Sequence, residues 1–377
     1  MLRRYIQWYI SGTALTRIPI AMKFRFELSP SIDLAEGPQP AGNVFSLLGA
    51  IRETGSLQQA ALRVGLSYRY AWGSIRHWES LFDRSIVTMQ RGKGAELTRF
   101  GESLLVAENR VREVVEPVIE SAAAEFHRYL GDSLTSRTQV RFSGRPDAAI
   151  DVMKDSLAIG EADMSLDTVF CGAVDGLICL HERQAELAGF HVSPVHQPGT
   201  RLHAAFKPWL KPSDVRLVRV AWRDQGLMMA PRLARSVKSV ADLASPEIRF
   251  INRERGSSTR ALFDQVVTSG GVHAERIAGY ERYAFGNRMV GEAVRQGDAD
   301  VGFGLRSTAE TLGLHYVPLT REAYYLALRN SDRDAAWVTA LLDMLRSEQV
   351  AGQISAIPGY QPEPSLRLMP VHEALPW

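Results

Sequence analysis

Apolar residues at Val44, Leu47, Leu48 and Ile51 fall at i, i+3, i+4 and i+7 and predict an amphipathic helix that stops near Gly55. Ser56-Leu57-Gln58-Gln59 reads as a capping box, with Ser as N-cap and Gln at the third helical position. The short helix it opens carries Ala60, Ala61 and Val64, and Gly65 offers a left-handed stop. Ser67 caps a third helix from Tyr68 to about Phe82, with Trp72, Ile75 and Trp78 facing inward. A helix, a short glycine-containing turn and a second helix make a helix-turn-helix.

The pattern then changes. Ile86 to Met89 reads as a strand, Arg91-Gly92-Lys93-Gly94 as a tight basic turn, and Glu96-Leu97-Thr98 as the return. Thr98 caps a long helix from Arg99 to about Leu130, where Leu104, Val111 and Val118 recur every seven residues. Such a seam favours pairing of helices, with Pro117 expected to kink it.

Beyond a polar connection at 131–137, strands and helices alternate. Strands are expected at Gln139–Phe142, Leu187–His191, Val215–Trp222, Ile248–Asn252, Asp300–Phe303 and Tyr324–Arg329. Helices are expected at Asp147–Ala158, Asp175–Arg183, Thr259–Ser269, Met289–Gln296 and Ala335–Ser347. This alternation predicts an open, mostly parallel α/β domain. The expected organisation is an extension (1–21), a winged helix-turn-helix of α+β type (22–99), a linking and dimerising helix (100–130), a linker (131–137), an α/β sensing domain (138–360) and an extended tail (361–377). Met22, just before an alternating strand at Lys23–Leu28, is a candidate start of the protein alongside Met1.

Charge sharpens that division. Eight cations between Val44 and Arg99 face four anions, a local balance of +4, whereas the helix after Arg99 carries three cations against six anions. The positive charge is concentrated where a polyanion would sit. The whole chain, at +2 over 377 residues, has no general attraction to polyanions. Two cysteines in a chain of this size suit a reducing compartment, and no uninterrupted apolar run of about 18 residues occurs, so a cytoplasmic protein with no membrane span is expected.

Gly55 to Ala61, Gly65 to Trp72 and the wing and exit from Arg91 to Gly101 resemble, in order and spacing, the winged helix of ModE-type, LysR-like bacterial transcription regulators. The resemblance covers about residues 44–126 and implies double-stranded operator DNA as partner. It also implies a homodimer through the 99–130 helix, with pairing into tetramers left open. Ser67, Tyr68, Arg69, Tyr70 and Ser74 then lie where a recognition helix meets base edges and phosphate, and Arg91 and Lys93 sit on the wing.

Ser143-Gly144-Arg145-Pro146-Asp147, Gly256-Ser257-Ser258-Thr259-Arg260 and Gly297 to Gly304 are similar to the periplasmic-binding-protein-like domain of molybdate-related regulators. Arg145 departs from the commoner small polar residue or His, and Asn287-Arg288 stands where Thr-His is usual. The expected anion site comprises Ser143, Gly144, Arg145, Ser257, Ser258, Thr259, Arg260, Asn287 and Arg288, with backbone N–H groups, hydroxyls and a helix end cradling one anion. Molybdate or tungstate is the implied effector; formate or another small carboxylate, or sulfate, fits the same cradle. The alternative role is a molybdenum or oxyanion carrier, or a cofactor-biosynthesis accessory protein, without DNA binding.

No enzyme is expected. There is no nucleophile elbow, no nucleotide loop at Arg91–Gly94 and no second Cys/His pair to complete a metal site with Cys179 and His181.

Overall fold

The structure is a computed structural model that describes residues 28–34, 37–90, 94–130, 138–159, 164–194 and 198–375. The expected segment 1–21 and all but Leu28 of the expected strand Lys23–Leu28 lie outside these residues; Leu28 itself is not in a strand.

An antiparallel ribbon, β1 (Ser31–Leu34) and β2 (Gly37–Pro40), leads into α1 (Gly42–Thr54). Gly55, at φ 64°, ends α1, and Ser56 Oγ accepts from Gln59 N (3.4 Å) to start α2 (Leu57–Val64). Gly65, at φ 74°, ends α2, and Ser67 Oγ accepts from Tyr70 N (3.2 Å) to start α3 (Tyr68–Phe82). β3 (Val87–Gln90) and β4 (Gly94–Leu97) follow as an antiparallel hairpin. Leu47, Leu48, Ile51, Ala60, Ala71 and Ile75 share one core that excludes water and fixes how the three helices cross. α4 (Arg99–Leu130) starts at the expected cap, where Thr98 Oγ1 accepts from Gly101 N (3.1 Å), and is one continuous helix through position 117.

The following region begins with β5 (Thr138–Gly144), α5 (Ala148–Ile159), β6 (Met164–Phe170), α6 (Ala173–His181), β7 (Leu187–Val192), α7 (Arg201–Phe206) and β8 (Val215–Met229). It continues with β9 (Phe250–Arg253), α8 (Ser258–Ser269), β10 (Tyr283–Ala284), α9 (Gly286–Arg295), β11 (Val301–Leu305), α10 (Arg306–Thr311) and β12 (His315–Arg329). The sheet order is β10-β9-β11-β8-β12-β7-β5-β6.

The expected mostly parallel sheet needs correction. Parallel pairing is confined to the two ends, β6-β5-β7 and β11-β9-β10, while β8 pairs antiparallel with β11 and β12, and β12 with β7. β8 and β12, each 15 residues long, run through both halves. Their expected lengths were shorter because the buried apolar pattern breaks at Arg223-Asp224-Gln225 and Arg321-Glu322, where the strands pass between the lobes. The result is two α/β lobes joined by two long strands.

α11 (Ala336–Arg346) and α12 (Glu348–Ser355) return the chain to the first lobe. The expected extended tail is also corrected: β13 (Tyr360–Pro362) and β14 (Met369–Pro370) pair with the otherwise open edge of β8, and α13 (Val371–Ala374) follows. Leu366, Met369, Val371 and Leu375 are buried, so packing holds this segment in place.

Candidate functional site

Two surfaces have the chemistry to bind. The first is the start of α3. Ser67, Tyr68, Arg69 and Tyr70 are all exposed, with Tyr68 and Tyr70 49% and 54% accessible despite their large apolar rings. Ser74 is half-buried one turn later, while Ile75 and Trp78 are in the core as expected. Trp72 is partly buried under the Arg76 guanidinium, 4.5 Å from the ring centroid. Arg91 and Lys93 lie outside the described residues.

The hairpin is held against α3 by a residue the sequence reading assigned no role. Glu79 Oε1 accepts from the backbone N–H of Ile86 (2.9 Å) and Val87 (3.2 Å), and Oε2 accepts from Arg76 Nη1 (2.9 Å). A glutamate inside a helix carries no sequence mark of such a partner.

The second surface is the seam between the lobes. Ser143 and Gly144 end β5, and Gly144 (φ 150°) lies so close to β7 that an added Cβ would meet Gly189 O at 2.3 Å. Only glycine fits there. Arg145 follows, its backbone N–H donating to Gly189 O (3.0 Å) and its carbonyl accepting from Tyr324 Oη (3.3 Å). Its guanidinium makes no ion pair among the described residues. Burial, and then the nearby Arg253 and Arg223 cations, lower the Arg145 pKa from the ordinary arginine value. The Glu254 and Glu322 carboxylates act against that shift and only partly offset it.

Below it lies a buried charge network on the crossing strands. Asp147 Oδ2 accepts from Arg223 Nη1 (2.7 Å), His191 Nε2 (2.9 Å) and Tyr360 Oη (3.0 Å). Glu322 Oε1 accepts from Arg223 Nε (2.8 Å) and Gln225 Nε2 (2.6 Å). Burial alone would raise the Asp147 pKa, but the His191 hydrogen bond and the Arg223 charge bring it to about 2. Burial and the Arg223 charge lower the His191 pKa, so its ring is neutral, with Nε2 carrying the proton given to ionised Asp147. Of this network the sequence reading singled out only Asp147; its partners come from four strands far apart in the chain.

From the second lobe, Arg253 at the end of β9 is buried and pairs with both oxygens of Glu254 (2.8 Å each), while its Nη1 donates to Asn287 Oδ1 (2.8 Å). Helix α9 starts three residues earlier than expected, which places Asn287 and Arg288 in its first turn. Arg288 Nε is buried without a hydrogen-bond partner, as are Gln225 Oε1 and Tyr316 Oη. Ser257 is the N-cap of α8, its Oγ accepting from Arg260 N (3.4 Å); Ser258 is half-buried and Thr259 buried in the first turn.

Arg260 does not join them. Its guanidinium lies 4.4 Å over the Tyr280 ring, with Nε on Asp264 (3.3 Å) and Nη1 on Arg253 O (3.4 Å). Arg260, four residues before Asp264 on α8, is buried, and these partners give its guanidinium a structural role. Arg253, the last residue of β9, is held instead by Glu254 and Asn287.

Among the described residues no cluster of three or more His, Cys, Asp or Glu side chains could hold a metal ion, and no helix is long and apolar enough to cross a membrane.

Comparison with known proteins bears on both surfaces. The chain is 25% identical over 227 residues to an uncharacterized protein, YvgK, of Bacillus subtilis (strain 168), covering 60% of this chain and 71% of that protein. It is 38% identical over 89 residues to the molybdenum-pterin-binding protein MopB of Rhodobacter capsulatus, 22% of this chain and 33% of that one. It is 39% identical over 65 residues to the transcriptional regulator ModE of Yersinia pestis, 16% of this chain and 25% of that one. The chain thus spans only a third and a quarter of the last two relatives. The family model described as the PBP superfamily domain matches residues 155–346, just over half of the chain and the larger part of both lobes, and the protein belongs to that superfamily.

Proposed function

We propose that the protein is a transcription regulator that reads operator DNA through the N-terminal three-helix unit and senses a small anion between the lobes. The observation that carries the reading is the exposed first turn of α3, where Tyr68, Arg69 and Tyr70 project from a Ser67-capped helix start backed by a rigid core. A helix N-terminus bearing aromatic and guanidinium groups suits base edges and phosphates in a major groove. The β3–β4 hairpin is the wing, and Arg91 and Lys93 fall between its two strands in sequence. Similarity to ModE, a transcriptional regulator, supports the same reading.

Arg145, Ser143, Gly144, Ser257, Ser258, Thr259, Asn287 and Arg288 are the ligand residues of this account. Arg145 supplies a guanidinium without an ion pair, Arg288 an unpartnered Nε donor, and the starts of α8 and α9 supply backbone N–H groups. Molybdate or tungstate is the preferred effector, in keeping with similarity to MopB; formate or another small carboxylate meets the same donors. The protein acts as a homodimer through α4, where Val111, Val114 and Val118 are 51%, 56% and 65% exposed along one side and gain by burial in a partner.

The test is fluorescence anisotropy on DNA from upstream of the protein's own gene, with and without each anion. Salt-sensitive binding that changes with one anion supports the regulator; an anion that binds while no DNA does would make the protein a carrier.

A further inference from the structure

Helix α9 joins the second lobe to the N-terminal unit and to α4. Glu292 in the middle of α9 has no solvent exposure, and its Oε1 accepts from Arg52 Nη1 of α1 at 3.0 Å. Its Oε2 accepts from Arg295 Nε (2.8 Å), and Arg295 Nη2 in turn donates to Glu102 of α4 (2.6 Å). At the other end of α9, Phe285 lies 4.9 Å below the Arg110 guanidinium of α4. A buried carboxylate that loses one of its cations is strongly destabilised, so these pairs set how α1 sits on the lobe.

One member of the cluster is loosely held. Arg288, a helical turn before Glu292, approaches the same Oε1 only to 3.9 Å, and its Nε is buried without a partner. Arg52 and Arg288 therefore share one oxygen, the first firmly and the second weakly. Arg288 lies in the first turn of α9 beside Asn287, whose Oδ1 accepts from Arg253 Nη1.

We propose that α9 is the element through which a cleft anion acts on the DNA-reading unit. An anion that engages Arg288 draws it away from Glu292 Oε1 and leaves that oxygen to Arg52, which fastens α1 more firmly to the second lobe. This rests on the anion reading above and assigns Arg52 and Glu292 as positioning residues, in contact with neither anion nor DNA. Because coupling is reciprocal, the factor by which anion changes operator affinity equals the factor by which operator changes anion affinity, typically about 5- to 150-fold.

Hydrogen exchange on the full chain, with molybdate, sulfate and formate as probes, tests it in two arms. Without anion, Glu292→Gln and Arg52→Gln should each speed exchange of segment 44–54 several-fold, and Arg52→Lys should restore most of the protection. Wild-type exchange in both Gln variants would overturn the proposal. With anion, segments 253–260 and 44–54 should both gain protection in the wild type, and in Glu292→Gln only 253–260 should. Equal protection of 44–54 in Glu292→Gln overturns the coupling while leaving the anion site intact. No response of 253–260 to any probe in the wild type removes the anion reading, and this inference with it.

Discussion

Arg223 and Glu322 face each other in register across β8 and β12, and two nitrogens of the guanidinium, Nε at 2.8 Å and Nη2 at 2.6 Å, converge on Oε1 of the carboxylate. The pair sits where both long strands pass between the lobes, and Arg223 reaches on to Asp147 of the first lobe. Burying these charges is costly unless each is matched, and here each ion meets an opposite charge and further hydrogen bonds. The network is therefore a fixed floor against which the two lobes are positioned.

Breaking that floor has a predictable cost. Glu322→Ala or Asp147→Ala leaves Arg223 buried with one carboxylate fewer, and either should lower unfolding free energy by about 3–5 kcal/mol, read from urea denaturation. An equal cost is not expected for Arg63→Ala, whose Glu53 partner is exposed and whose pair is worth about 0–1 kcal/mol.

The same network sets the acid side of stability. The neutral, buried His191 takes up a proton more readily once unfolded, so its contribution is complete above about pH 6.5 and declines as pH falls below that value. Asp147, at about 2 when folded, contributes fully above about pH 4, the ordinary aspartate value, and loses its contribution as pH falls from there toward 2. Calorimetry should show Tm declining through both windows, and His191→Gln should flatten the upper one and narrow the lower one, because Asp147 loses the His191 donor.

Glu79 anchors the hairpin to α3, and Glu79→Ala leaves the N–H groups of Ile86 and Val87 without their acceptor. The expected cost is about 1–3 kcal/mol in the N-terminal unit, with operator affinity lost alongside. Arg76→Ala, which removes only a largely exposed partner, should cost about 1 kcal/mol or less. Separate melting of the two variants checks this.

Arg69→Ala and Tyr70→Ala should weaken operator binding by about 1–3 kcal/mol each without changing Tm, because both side chains are exposed. If Arg69 meets a phosphate, the slope of log affinity against log salt should also fall by about one. Anisotropy at several salt concentrations reads both.

How much of this was written in the sequence depends on distance along the chain. The cores of α1 to α3, the Ser56, Ser67 and Thr98 caps and the glycine stops were legible, because helix periodicity and capping are local. Arg145 and Arg288 were singled out for the same local reason, each sitting beside a turn signal that marks a strand or helix end. The partners of Asp147 were not, since His191, Arg223 and Tyr360 meet only once four strands are in register. The partners of Arg260 were not legible either: Asp264 and Tyr280 engage its guanidinium, and Tyr280 reaches it only through the fold. The tail was read as extended because its prolines suggested no partner, whereas β8 had an edge to offer.

Isothermal titration of molybdate, tungstate, sulfate and formate into the wild type and Arg145→Ala decides whether the seam between the lobes binds an anion. The account predicts saturable binding of one of these anions to the wild type and its loss in Arg145→Ala, whose melting temperature without anion should be no lower, since an unpaired cation has been removed. Binding undiminished in Arg145→Ala, or no heat from any anion with the wild type, would contradict it.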